Sequence, residues 1–86
     1  MVDYMTMPFE RTRSVVQTHA FLMELACDTE VPERVRKNAH FLLRHFPTKQ
    51  DVLQAGRIEE QAKKLGIGTF GPVFSSSTEH HHDSQL

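Results

Sequence analysis

The stretch Pro32-Glu33-Arg34-Val35-Arg36-Lys37-Asn38-Ala39-His40-Phe41-Leu42-Leu43-Arg44-His45-Phe46 decides how this chain is read. Wound at about 100° per residue, it puts Val35, Ala39, Leu42 and Phe46 on one narrow arc, with Leu43 at its edge. The opposite arc carries Arg34, Arg36, Lys37, His40, Phe41, Arg44 and His45 almost without a break, against the single acid Glu33. One face is suited to a core, and the other is cationic with an aromatic near its middle. Such a helix displays a binding surface rather than a reaction centre. The predicted partner-binding residues are therefore Arg34, Arg36, Lys37, His40, Phe41 and Arg44.

Prolines punctuate the chain on either side of this helix. Pro8 opens a first helix, where its missing N–H costs nothing, and Thr6 is the expected cap ahead of it. From there to Cys27 apolar residues cover most of the circumference: Val15, Val16, Ala20, Leu22, Met23, Leu25, Ala26 and Cys27, with a polar strip of Glu10, Arg13, Gln17 and Glu24. So wide an apolar arc belongs to a central helix or to one shared with a partner. The second helix is predicted to reach Phe46, because Pro47 disfavours helical geometry in the residue before it. Thr48-Lys49-Gln50-Asp51 then reads as a capping box opening a third helix that runs to about Leu65. Its expected core face is thin: Ala55, Ile58, Ala62 and Leu65. Glu59–Lys63 and Glu60–Lys64 are spaced as favourable pairs, and Gly66 is a natural stop.

The reading is an all-α fold, a compact three-helix bundle with helix 1 central. Residues 1–6 are expected to be flexible and 7–66 to form the helical domain. Residues 67–74, apolar but broken by Gly68, Gly71 and Pro72, form a non-helical flap, and 75–86 a disordered tail. The 86 residues make one small domain of formal charge −1, so nothing global points to nucleic acid or a membrane. With one cysteine, Cys27, no internal disulfide forms, which fits a reducing compartment. The N-terminal stretch lacks the positive charge of a secretory signal, and no apolar run approaches the roughly 20 residues of a membrane span. A cytoplasmic protein is the expectation.

Candidate chemical sites are few. His80-His81-His82 between Glu79 and Asp83 is the one metal-like cluster, but adjacent histidines on a tail lack the fixed geometry of a metal centre and read as polar tail. His19 lies within the apolar arc of helix 1 and reads as a core histidine, and Cys27 as a small core hydrophobe. His40 and His45 read as exposed polar residues. Phe41 is either covered by the Phe70–Phe74 part of the flap or free to contact a partner. Phosphate-cradling loops, paired catalytic carboxylates and zinc-finger spacings are absent, so neither an enzyme, a catalytic residue, a metal nor a cofactor is expected. A helix-turn-helix reader does not fit, because the basic helix is the second and not the third. The expected function is docking of an acidic protein partner on the basic face. The alternative is a nucleic-acid accessory protein using that face through phosphate contacts.

The stretch Thr6-Met7-Pro8-Phe9-Glu10-Arg11-Thr12-Arg13-Ser14-Val15-Val16-Gln17-Thr18, with Leu42-Leu43-Arg44-His45-Phe46-Pro47 and Gly56-Arg57-Ile58-Glu59, resembles a family of small uncharacterised bacterial proteins. These share a Met-Pro-x-Glu-Arg-Thr-Arg opening and a Leu-Arg-His-aromatic-Pro element. The resemblance covers most of residues 6–74 and implies a small all-helical protein. It implies no activity and assigns no functional residue. It also makes Met1–Met5 look like an extension ahead of the usual start.

Overall fold

In a computed structural model, residues 6–66 and 72–79 are described. They hold three helices and no strand: α1 (Pro8–Cys27), α2 (Glu33–Leu43) and α3 (Lys49–Lys64). Residues 1–5, most of the expected flexible N-terminus, the first part of the flap (67–71) and the end of the tail (80–86), with His80-His81-His82, lie outside the described residues.

Local chemistry sets the helix ends. Met7, not Thr6, is the cap of α1: its N–H donates to Glu10 Oε1 at 2.6 Å, and Pro8 follows as the first helical residue. The Thr6 carbonyl instead accepts from Arg11 Nη1 at 2.7 Å. The second helix stops at Leu43, short of the expected Phe46. There the N–H groups of Arg44 and His45 turn to the carbonyls of Phe41 and Leu42, three residues back, tightening the last turn before Pro47.

The box at α3 forms as expected. Thr48 Oγ1 accepts from the Asp51 N–H at 3.1 Å, and Asp51 Oδ2 accepts from the Thr48 N–H at 3.0 Å. The bond from the Thr48 backbone, then that with its side chain, lowers the Asp51 pKa from its ordinary 3.8. Because the folded value is depressed, this carboxylate's contribution is present above 3.8 and lost as pH falls through the lower folded value. Thr48→Ala should cost about 1 kcal/mol at neutral pH. Urea titrations should find the gap between variant and parent shrinking at acidic pH.

α1 is central. It packs against both α2 and α3, which do not pack against each other, so the bundle is two helix pairs sharing one member. On the α2 side Leu22, Ala26 and Ala39 are buried, with Leu25, Leu43 and Phe46 packed around them. The His19 ring lies 6.1 Å from that of Phe46 at a 39° tilt, a packing contact within this cluster. Leu42, expected on the core arc, is 53% exposed, and Leu43 takes the inner position instead. Cys27, expected in the core, is exposed at the end of α1. Phe21 and Met23 are also open, so α1's wide apolar arc is only partly covered.

The face of α3 toward the interior differs from the expected one. Val52 and Gly56 are buried, whereas Ile58 is 61% and Leu65 71% exposed. The reason is a strap, residues 72–79, which runs over α1 and α3. Ser75, expected at the start of a disordered tail, is anchored there. Its N–H donates to Thr12 Oγ1 at 2.8 Å, and the same hydroxyl donates to the Ser75 carbonyl at 3.0 Å. Thr12 is completely buried by this pairing. Glu59 accepts from the N–H groups of Val73 (3.2 Å) and Phe74 (2.8 Å), and Arg11 Nε donates to the Val73 carbonyl at 2.7 Å. Glu60 accepts from the Ser76 N–H at 3.0 Å and its hydroxyl at 2.7 Å. Both glutamates thus turn to strap amides, and the helix rotates its apolar stripe outward to allow it.

Candidate functional site

The expected surface lies on α2, the helix that rests on α1 alone. With Ala39 at 2% exposure fixing the inner face, the wheel aims Phe41 almost directly outward. Phe41 is 64% exposed, and Arg34, Lys37, His40, Arg44 and His45 are exposed around it. The described part of the flap and the strap pass over α1 and α3, where their backbone is bonded. Of the two roles expected for Phe41, cover by residues 72–74 is thereby set aside for an open aromatic.

Two cations are less available than the sequence pattern implied. Lys37 Nζ sits 3.3 Å from Glu33 Oε2, one turn back, in an exposed pair. Such pairs contribute only a few tenths of a kcal/mol and separate readily, so Lys37 is tethered rather than sequestered. Arg36 departs further from expectation. Its Nη1 donates to the Val31 carbonyl at 2.5 Å and lies 3.4 Å from that of Asp28, so the half-buried side chain closes the α1–α2 loop. A long arginine stem lets the charged end reach around its own helix to the loop carbonyls. Arg36 is a loop clamp, and the outward face consists of Arg34, Lys37, His40, Phe41, Arg44 and His45.

The sequence reading missed the second constellation, the cradle that holds the strap. Arg11, Thr12, Gly56, Glu59 and Glu60 come together from α1 and α3. A Cβ on Gly56 would lie 2.2 Å from the Ser75 carbonyl carbon, so the strap backbone rests directly on a bare helix surface. Local patterning carries no signal for it, because its partners are peptide groups of the strap, 14–16 residues beyond Glu59 and Glu60 and 63 residues beyond Thr12.

Among the described residues, no three or more His, Cys, Asp or Glu side chains gather as a metal site, and no helix is long and apolar enough to cross a membrane. No family model, no curated protein and no solved structure matches the chain.

Proposed function

We propose that this chain is a small non-enzymatic interaction protein that docks an acidic protein surface on the outward face of α2, in the reducing cytoplasm that an exposed lone Cys27 suits. The observation that carries the reading is Phe41, 64% exposed within a cationic surround on a helix whose opposite side is packed. An exposed aromatic ringed by cationic side chains has the composition of an interface anchor.

The face suits a protein better than a polyanion. With Arg36 committed to the loop and Lys37 shared with Glu33, Arg34 and Arg44 are, among the described residues, the arginines and lysines left unpaired on this face. Nucleic-acid affinity grows with the number of phosphates neutralised, and so short a row gives little. An acidic protein contact needs only a few charges for steering and an aromatic for burial.

Arg34, Lys37 and Arg44 changed together to glutamate should leave the fold in place, at about 0.5 kcal/mol per surface substitution. Arg36 is left intact because its loss would open the loop. Capture from the native cell should recover an acidic protein with the parent and lose it with the triple variant and with Phe41→Ala. Unchanged recovery by a folded triple variant would end the proposal. Salt-sensitive binding to generic DNA or RNA would replace it with the nucleic-acid alternative.

A further inference from the structure

The strap changes the charge that α3 shows to solvent. All three acids of that helix are engaged, Asp51 in the cap with Thr48, and Glu59 and Glu60 by strap donors. The expected pairs Glu59–Lys63 and Glu60–Lys64 are accordingly absent among the described residues, and Arg57, Lys63 and Lys64 are exposed and unpaired there. On the side of α3 away from Val52 and Gly56, the residues Gln54, Ile58, Gln61 and Leu65 follow at alternating steps of four and three, the spacing of a helix-pairing seam. Ile58, Gln61, Ala62 and Leu65 stand at i, i+3, i+4 and i+7, the corners of a hole that takes one apolar side chain of a facing helix. With Gln54 and Arg57 they line a shallow groove of about 540 Å³, and Ile58 and Leu65 are 61% and 71% exposed on it. Arg57 and Lys64, two turns apart, hold one edge of the seam, where charge selects the partner.

We propose that the outward face of α3 docks an amphipathic helix of another protein whose seam is edged with acidic residues, an interface separate from that of α2. The charges decide against a second copy of this chain as the occupant. Two α3 helices running antiparallel about a two-fold axis bring the same edge of each together, setting Arg57 and Lys64 against their like. Running parallel, that edge meets the one bearing Ala55 and Ala62 and gains no charge partner. The outward face of α2 is cationic as well. A helix with aspartate or glutamate along the matching edge satisfies both cations while its apolar side chain fills the hole between Ile58 and Leu65.

The probes are two synthetic helices about three heptads long with leucine along the seam, one edged with glutamate and one with lysine, so that like charges keep each from pairing with itself. Each is titrated into the isotope-labelled full-length chain and followed by its amide resonances. The glutamate helix should shift the amides from Gln54 to Leu65, and the lysine helix should leave them in place. Arg57→Glu with Lys64→Glu should weaken the glutamate helix on the order of ten-fold and admit the lysine helix, with melting close to the parent's. Arg34→Glu, Lys37→Glu and Arg44→Glu together, which strip the cations from α2, should leave the shifts on α3 unchanged. Shifts confined to α2, equal binding of the two probes or binding of neither would overturn the proposal. So would a chain that sediments alone as a dimer and is returned to monomer by Leu65→Ser, since a second copy would then hold the face.

Discussion

Leu22→Ala should lower the melting temperature by on the order of 10 °C or more, the largest loss expected from a single truncation in this chain. The α1–α2 pair is held by a small buried cluster in which Leu22 is 8% exposed and its two buried neighbours, Ala26 at 7% and Ala39 at 2%, are alanines. Alanines let the helices approach closely but bury little area, so Leu22 supplies most of the enclosed side-chain volume. Removing it forfeits the transfer free energy of the leucine and leaves a void that Leu25, Leu43 and Phe46 only partly fill. Together these cost about 2–5 kcal/mol. A domain this small has little reserve against such a loss, since total stabilities are about 5–15 kcal/mol. Phe21→Ala is the control on the neighbouring position: a larger side chain is removed from the same helix, but at 57% exposure it should cost far less. Circular-dichroism melts of the two variants decide the matter. If Leu22→Ala melts with the parent, or Phe21→Ala is the worse of the two, the core lies elsewhere.

How much of this was legible depends on the range of the interactions. The Thr48–Asp51 box, the Gly66 stop at φ 73° and the burial of Leu22 are set by residues within a turn or two, and periodicity or capping chemistry reveals them. The outward cationic face of α2 was likewise visible in its wheel. Arg36 was misread because a wheel assigns a side chain by its Cα, whereas a guanidinium on a long stem binds carbonyls five and eight residues back. The α3 face was misread for a different reason. Its buried partners are peptide groups of the strap, 14–16 residues downstream, and Thr12 meets Ser75 across 63 residues. Peptide groups are the same at every position, so a face that buries against them leaves no hydrophobic period to detect. Apolar Ile58 and Leu65 accordingly looked like the core, and Glu59 and Glu60 like surface.

Gly56→Ala puts that cradle to its sharpest test, because the expected sign runs against the usual rule. Glycine inside a helix is normally a liability, and alanine in its place should gain up to about 1 kcal/mol. Here the added methyl would lie 2.2 Å from the Ser75 carbonyl carbon, 2.3 Å from its oxygen and 2.6 Å from the Ser76 nitrogen. These are backbone atoms held on both sides by Thr12 and Glu60, with no rotamer through which to yield. The strap must therefore lift, and the bonds around Ser75 and Ser76 go with it, leaving the Thr12 hydroxyl to find water in a site built for a peptide group. Lost hydrogen bonds of this kind outweigh the propensity gain, for a net destabilisation of about 1–3 kcal/mol. Hydrogen exchange should show the amides from Val73 to Ser76 losing protection while those of Leu22 to Ala26 keep theirs. The sign should then reverse in a chain cut after Gly66, which carries no strap. With nothing resting on position 56, alanine becomes the better helix residue and the substitution stabilises. A Gly56→Ala chain more stable than its parent in both backgrounds would show that the strap does not lie on α3.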